Sequence, residues 1–159
     1  MSSNINGKPI FWNTRTKLHL AITLAVMIFI FVQSAMPGEI SGAESNLIVR
    51  FLSNLTGIEA ESLSMIVRKA AHFTEFMILG ICLAINVKDI SSVKVKPLSP
   101  FGMWLMPWLI GTAYAITDEI HQLFVPERAC AFMDMCIDAC GVAVGAMIVV
   151  GVVRGKGRL

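Results

Sequence analysis

The chain has 159 residues, 55% of them hydrophobic and 15% charged, with a net charge of +2 and a mean hydropathy of +0.70. That is too apolar for a water-soluble domain, and the length suits one compact unit. No basic domain or recognition motif supports a nucleic-acid partner, and the cations sit in short flanking clusters that suit lipid headgroups.

Residues 1–17 form a polar flank carrying Lys8, Arg15 and Lys17. Residues 18–35 follow as the first of four apolar stretches, with further ones at about 70–87, 101–117 and 132–153. A helix crosses a bilayer with roughly 17–25 apolar residues, so each stretch predicts a transmembrane span. The first stretch has basic residues before it and a Gln33-Ser34-Ala35-Met36 sequence that imitates a cleavage site. Its length exceeds a signal-peptide core, so a retained helix is expected. Between the first two spans, Leu47, Ile48, Phe51, Leu52 and Leu55 recur at helical spacing, bounded by Pro37-Gly38 and Thr56-Gly57. This predicts a short amphipathic helix, lying on the membrane surface or packed on the bundle. Residues 91–100 are polar, basic and interrupted by Pro97 and Pro100, as in a connector. Pro107 falls inside the third span, where it is expected to kink the helix or end a regular segment. Gly141 and Gly145 in the fourth span allow close helix contact, read as packing within the fold in preference to homodimerisation. Residues 154–159 form a basic tail.

The fold class expected is therefore all-α: a polytopic membrane protein with four transmembrane helices and a short amphipathic helix in the first outer loop. One domain covers 18–153, flanked by 1–17 and 154–159. The clusters Lys8/Arg15/Lys17, Lys88/Lys94/Lys96 and Arg154/Lys156/Arg158 all fall on one side of a four-span chain. The positive-inside rule makes that side cytoplasmic, with both termini there. Cys82, Cys130, Cys136 and Cys140 include no CxxC pair, so they read as small buried hydrophobes.

The polar residues inside the apolar stretches carry the functional signal. Each ionisable group placed in lipid costs ~2.5–3.5 kcal/mol on insertion scales, so such groups persist mainly where they meet one another or water. Arg68, His72 and Glu75 share one helical stripe; Asp118 and Gln122 lie one turn apart, as do Asp134 and Asp138. The four-span topology brings all three groups to the outer side. Acids beside imidazoles suit general acid–base work, and His72 titrates near neutral pH when unperturbed. Arg68, Lys69 and Arg128 at the rim are suited to hold a phosphate or carboxylate. A divalent cation gathering the carboxylates with His72 or His121 is an alternative, although no stringent metal motif is present. The structural alternative has the same residues pairing to lock the bundle. It is weaker for the set than for any one residue, because structure alone rarely places so many ionisable groups in lipid. His19 reads as a lone interfacial histidine. Ser34 either borders the site or bonds its own helix.

Three ordered blocks resemble the VanZ-like family. The first contains Arg68, Lys69, His72, Phe73, Glu75, Phe76, Leu79 and Gly80. The second contains Tyr114, Ala115, Asp118, Glu119, His121, Gln122, Phe124, Val125, Pro126 and Arg128. The third contains Asp134, Asp138, Gly141 and Gly145. The resemblance covers about 18–153. Two departures are Glu127, where the family has glycine, and Ala129-Cys130-Ala131, where it has small polar residues. The resemblance implies a small helical membrane domain. Its founding member is linked to low-level teicoplanin resistance, and the family has been grouped with enzymes that modify lipid headgroups. It thus implies chemistry on a phospholipid or polyprenyl-linked phosphoester at the outer leaflet. His72, Glu75, Asp118, Glu119, Asp134 and Asp138 are the expected catalytic residues, and Lys69, Gln122 and Arg128 the expected substrate contacts. The alternative is a non-catalytic binder of a cell-envelope lipid or lipoglycopeptide. A transporter is disfavoured by the absence of a repeat or a broken-helix pair.

Overall fold

The computed structural model describes residues 13–36, 48–92, 98–126 and 131–157, and among these every regular element is helical. Helix α1 is Thr14–Ser34, α2 covers 48–56, α3 is Ala60–Ser92, α4 is Pro100–Gln122 and α5 is Phe132–Gly155. Among the described residues, α1, α3 and α5 are long and apolar enough to cross a membrane. Helix α4 has the length, at 23 residues, but is not among them. Trp104, Pro107, Trp108, Thr112, Tyr114 and Thr117 dilute its apolar character.

Local chemistry sets the ends. Asn13 caps α1, its side chain accepting from Thr16 N at 2.9 Å. Ser99 caps α4 with Pro100 in the first helical position, where a missing N–H costs nothing. Pro107 does not end α4, which runs on to Gln122. Helix α3 is much longer than the apolar stretch at 70–87. With 33 residues it extends about 50 Å at ~1.5 Å per residue. No Gly or Pro interrupts it between Ala60 and Gly80, and its start lies just past Gly57, which takes a left-handed φ of 72°. Polar side chains such as Lys88 and Asp89 do not stop it either.

Helix α2 matches the expected amphipathic segment, although Pro37-Gly38 and Leu47 lie outside the described residues. Val49 is buried, while Ile48, Phe51 and Leu55 are exposed. The apolar face thus points away from the bundle, as in a surface-lying helix.

Helix α3 is the centre of the bundle, packed most extensively on α5 and also touching α4 and α1. Glycines permit the α3–α5 approach. A Cβ on Gly141 would lie 2.5 Å from the Phe73 carbonyl oxygen, and one on Gly80 2.4 Å from that of Val142. The small-residue face of α5 is therefore filled from within the chain. Ile30, Phe76, Leu79, Leu83, Ala115 and Val142 form the main core. Ala84, Ala146, Val149 and Val153 continue it toward the far end.

Candidate functional site

The C-terminal ends of α1 and α4, the N-terminal turns of α5 and the 68–75 stretch of α3 meet at one end of the bundle. Because α3 starts at Ala60, its polar stretch lies well inside the helix and not at its tip. Lys69 Nζ pairs with Asp134 Oδ1, and Arg68 Nη2 lies 3.9 Å from Asp134 Oδ2. Asp134 is in the first turn of α5, where the helix dipole favours an anion. One turn deeper, His72 Nδ1 stands 3.7 Å from Asp138 Oδ1, too far for a direct hydrogen bond. Asp138 is fully buried.

Helix α4 supplies the next wall. Glu119, fully buried, accepts from the Ala131 backbone N–H at 3.0 Å. That bond ties the start of α5, whose N-cap Ala131 offers no side-chain cap, to α4. Asp118 Oδ2 accepts from Ser34 Oγ at 2.7 Å and from Gln122 Nε2 at 3.2 Å. Ser34 therefore bonds across to α4. The Tyr114 hydroxyl donates to the Met27 carbonyl at 2.6 Å, a second fastening of α1 to α4. His121 stacks on Phe31 with ring centroids 4.3 Å apart.

The unsatisfied atoms are the site's most informative property. Both Asp138 oxygens, Asp118 Oδ1, Glu119 Oε1 and His72 Nδ1 are buried without a hydrogen-bond partner among the described residues. Leaving such an atom unpaired costs ~1–3 kcal/mol, more for a charged group. Buried polar groups are ordinarily paired, so this set retains unspent hydrogen-bonding capacity. The crevice lined by Arg68, Lys69, His72, Asp134, Ile137 and Asp138 is closed, with no room for a water-sized sphere. The Lys69–Asp134 pair sits across it.

Glu75 lines a groove between α1 and α3 with Ile22, Phe29 and Ile78, while remaining within electrostatic range of His72. Arg128 lies outside the described residues. Lys69, His72, Asp118, Glu119, Gln122, Asp134 and Asp138 are brought together. Among the described residues, no three His, Cys, Asp or Glu side chains are placed to share a metal ion.

His19 is not the isolated histidine expected from the sequence. At the opposite end of the bundle its Nδ1 lies 2.6 Å from Asp89 Oδ2. Asn86 Nδ2 donates to Thr23 Oγ1 at 2.6 Å beside it. The signal was available in principle, since Asn86 and Asp89 lie on neighbouring turns at the end of an apolar run.

An all-helical bundle with three membrane-spanning-type helices and a buried acid–imidazole cluster defines a class of integral membrane protein. The chain matches the VanZ/LLP1 family over residues 19–154 and belongs to that family. Neither the curated proteins nor the solved structures compared with it gave a match.

Proposed function

We propose that the protein is a membrane-embedded enzyme acting on the phosphoester headgroup of a phospholipid or polyprenyl phosphate, by exchange or hydrolysis. The observation that carries this reading is the fully buried Asp138, both oxygens unpartnered, beside His72 and behind a Lys69–Asp134 pair. In this reading α4 is the fourth span, both termini are cytoplasmic and the site opens to the outer leaflet.

Lys69, with Arg68 beside it and Arg128 as the further contact expected from the sequence, holds the phosphate, which displaces Asp134 from Lys69 and opens the crevice. His72 takes the proton of the attacking water or alcohol as its oxygen bonds to phosphorus. It returns that proton to the leaving headgroup oxygen as the old P–O bond breaks. Asp138 orients the imidazole and balances its charge. Glu119, Asp118 and Gln122 hold the α4 wall and orient the substrate, and Glu75 faces it from α3. Susceptibility to a lipoglycopeptide such as teicoplanin is the cellular trait that a changed outer-leaflet headgroup would alter.

The test is membrane lipid mass spectrometry on cells making the wild type or the His72→Ala/Asp134→Asn protein at matched levels. A lipid species that shifts with wild type alone is expected, since losing acid–base assistance costs ~10²–10⁴ in rate. Identical lipid profiles with a folded variant would overturn the enzyme. Glu75→Gln is expected to weaken the shift; full activity in that variant would remove Glu75 from the machinery. A second reading, a non-catalytic holder of an envelope lipid, is favoured by the closed crevice together with the open groove beside Glu75. It requires site variants to lose ligand while no product is ever formed.

A further inference from the structure

Between α1 and α3 lies an open groove of about 330 Å³, lined by Ile22, Ala25, Phe29 and Ile30 of α1 and by Ile78 and Glu75 of α3. Its volume is in the ~300–1,000 Å³ range of small-molecule sites. Ile22, Phe29 and Ile78 are each more than 40% exposed, so the groove opens sideways and not to the bundle interior. Both walls belong to helices of membrane-crossing length and composition. The medium at its mouth is then hydrocarbon.

The two helices run antiparallel. His19 pairs with Asp89 and Thr23 with Asn86 at one end, which places Glu75 near the Phe29–Ile30 end of the groove. Glu75 is three residues from His72 and within its electrostatic reach. The groove thus has a polar end that abuts the acid–imidazole cluster and an apolar end at Ile22. From Ile22 to Ile30 it extends about 12 Å at ~1.5 Å per residue.

We infer that this groove seats one acyl chain of a phospholipid substrate, entering laterally from the bilayer with its headgroup junction at Glu75. The inference rests on the lipid-headgroup reading above. The chain direction agrees with it, since a lipid with its headgroup at the polar site points its tail along the groove toward Ile22. The length agrees as well. A leaflet is about half of a ~30 Å hydrocarbon core, so a 12 Å slot covers most of an acyl chain and releases its tip near the midplane. A polyprenyl chain, several times longer, would leave most of its length outside. Chain seating therefore provides binding energy remote from the reacting phosphorus and fixes the headgroup beside His72.

The test uses the full-length protein in vesicles of phosphatidylglycerol and phosphatidylethanolamine. They are doped with phosphatidylglycerol carrying a photoreactive diazirine midway along one acyl chain. Crosslinked residues are mapped by peptide mass spectrometry. Labelling concentrated on residues 22–30 and Ile78, over exposed positions of α5 such as Ile148 and Val152, is expected. Ala25→Trp and, independently, Ile78→Trp should each lower groove labelling about tenfold, equivalent to ~1.4 kcal/mol in a binding equilibrium. Val152→Trp should leave it unchanged. Labelling spread evenly over all exposed helix faces in the wild type would overturn the slot. So would unchanged labelling in either groove variant. The two readings fail separately. Even labelling with a wild-type-only lipid shift removes the slot and keeps the enzyme. Groove labelling without any lipid product removes the enzyme and keeps the slot.

Discussion

Gly145→Ala tests the packing that places His72 against Asp138. A Cβ at this position would stand 2.1 Å from the Met77 carbonyl oxygen and 2.9 Å from the Ile81 nitrogen, where ordinary contact begins near 3.4 Å. Both obstacles are backbone atoms of α3, so no side-chain rotation relieves the clash, and α3 and α5 must separate by about an ångström. Overpacking of this kind costs ~1–3 kcal/mol, and a rigid backbone obstacle puts it at the upper end. Replacing a mid-helix glycine by alanine returns up to ~1 kcal/mol of helix propensity. The net expectation is a loss of about 2 kcal/mol, roughly a thirtyfold change in the folding equilibrium. Gly151 on the same helix has nothing within 4 Å of its built Cβ, so Gly151→Ala carries only the favourable term. Reversible unfolding of both variants in detergent micelles measures the difference. Gly145→Ala as stable as Gly151→Ala would refute the close α3–α5 approach and the site geometry that depends on it.

Ser34→Ala removes the shorter of two donors to the buried Asp118 Oδ2. A loss of ~1–3 kcal/mol in unfolding free energy is expected, and an unchanged value would mean that α1 and α4 do not meet there. For the Lys69–Asp134 pair, Lys69→Met and Asp134→Leu should each destabilise, and the double variant should recover part of the loss. A coupling energy of about 1 kcal/mol is expected from the double-mutant cycle, and a value near zero would show the pair to be incidental. At the opposite end, His19→Ala should cost about 1 kcal/mol of stability by stranding Asp89, with lipid profiles unchanged. Loss of the lipid shift in a stable His19→Ala protein would place that end in the chemistry.

Composition and helical spacing made the apolar helices, the short helix α2 and the polar residues that gather at one end of the bundle legible. Periodicity says which residues share a face, but not which neighbour lies opposite. Glu75 shows the limit. It shares a stripe with Arg68 and His72, yet α3 sits between α5 and α1. His72 meets Asp138 of α5, while Glu75, on the adjoining edge of the same stripe, meets the groove toward α1. His19 shows it again, because its partner Asp89 is 70 residues away and only the α1–α3 register brings them together. The span at 70–87 underestimated α3 because hydropathy marks where lipid is tolerated, whereas the polar but helix-favouring residues before it, such as Glu61, Arg68 and Lys69, let the helix begin earlier. For α4 the opposite happened. Its length was readable, but its aromatic, proline and hydroxyl content keeps it outside the helices apolar enough to cross a membrane unaided.

Helix α1 is held at points spread along its length. Ser34 and the Met27 carbonyl engage α4, and His19 and Thr23 engage α3. Between and around these fastenings, and away from the groove, Leu18, Leu24, Ile28 and Val32 face outward. Sequence drift on that outward face costs little as long as it stays apolar, while a change at any fastening is felt across the bundle. The helix thus behaves like an interchangeable panel on a fixed frame. A lineage, or an engineer, can retune its outer surface to a thicker, thinner or differently composed membrane without rebuilding the acid–imidazole cluster behind it.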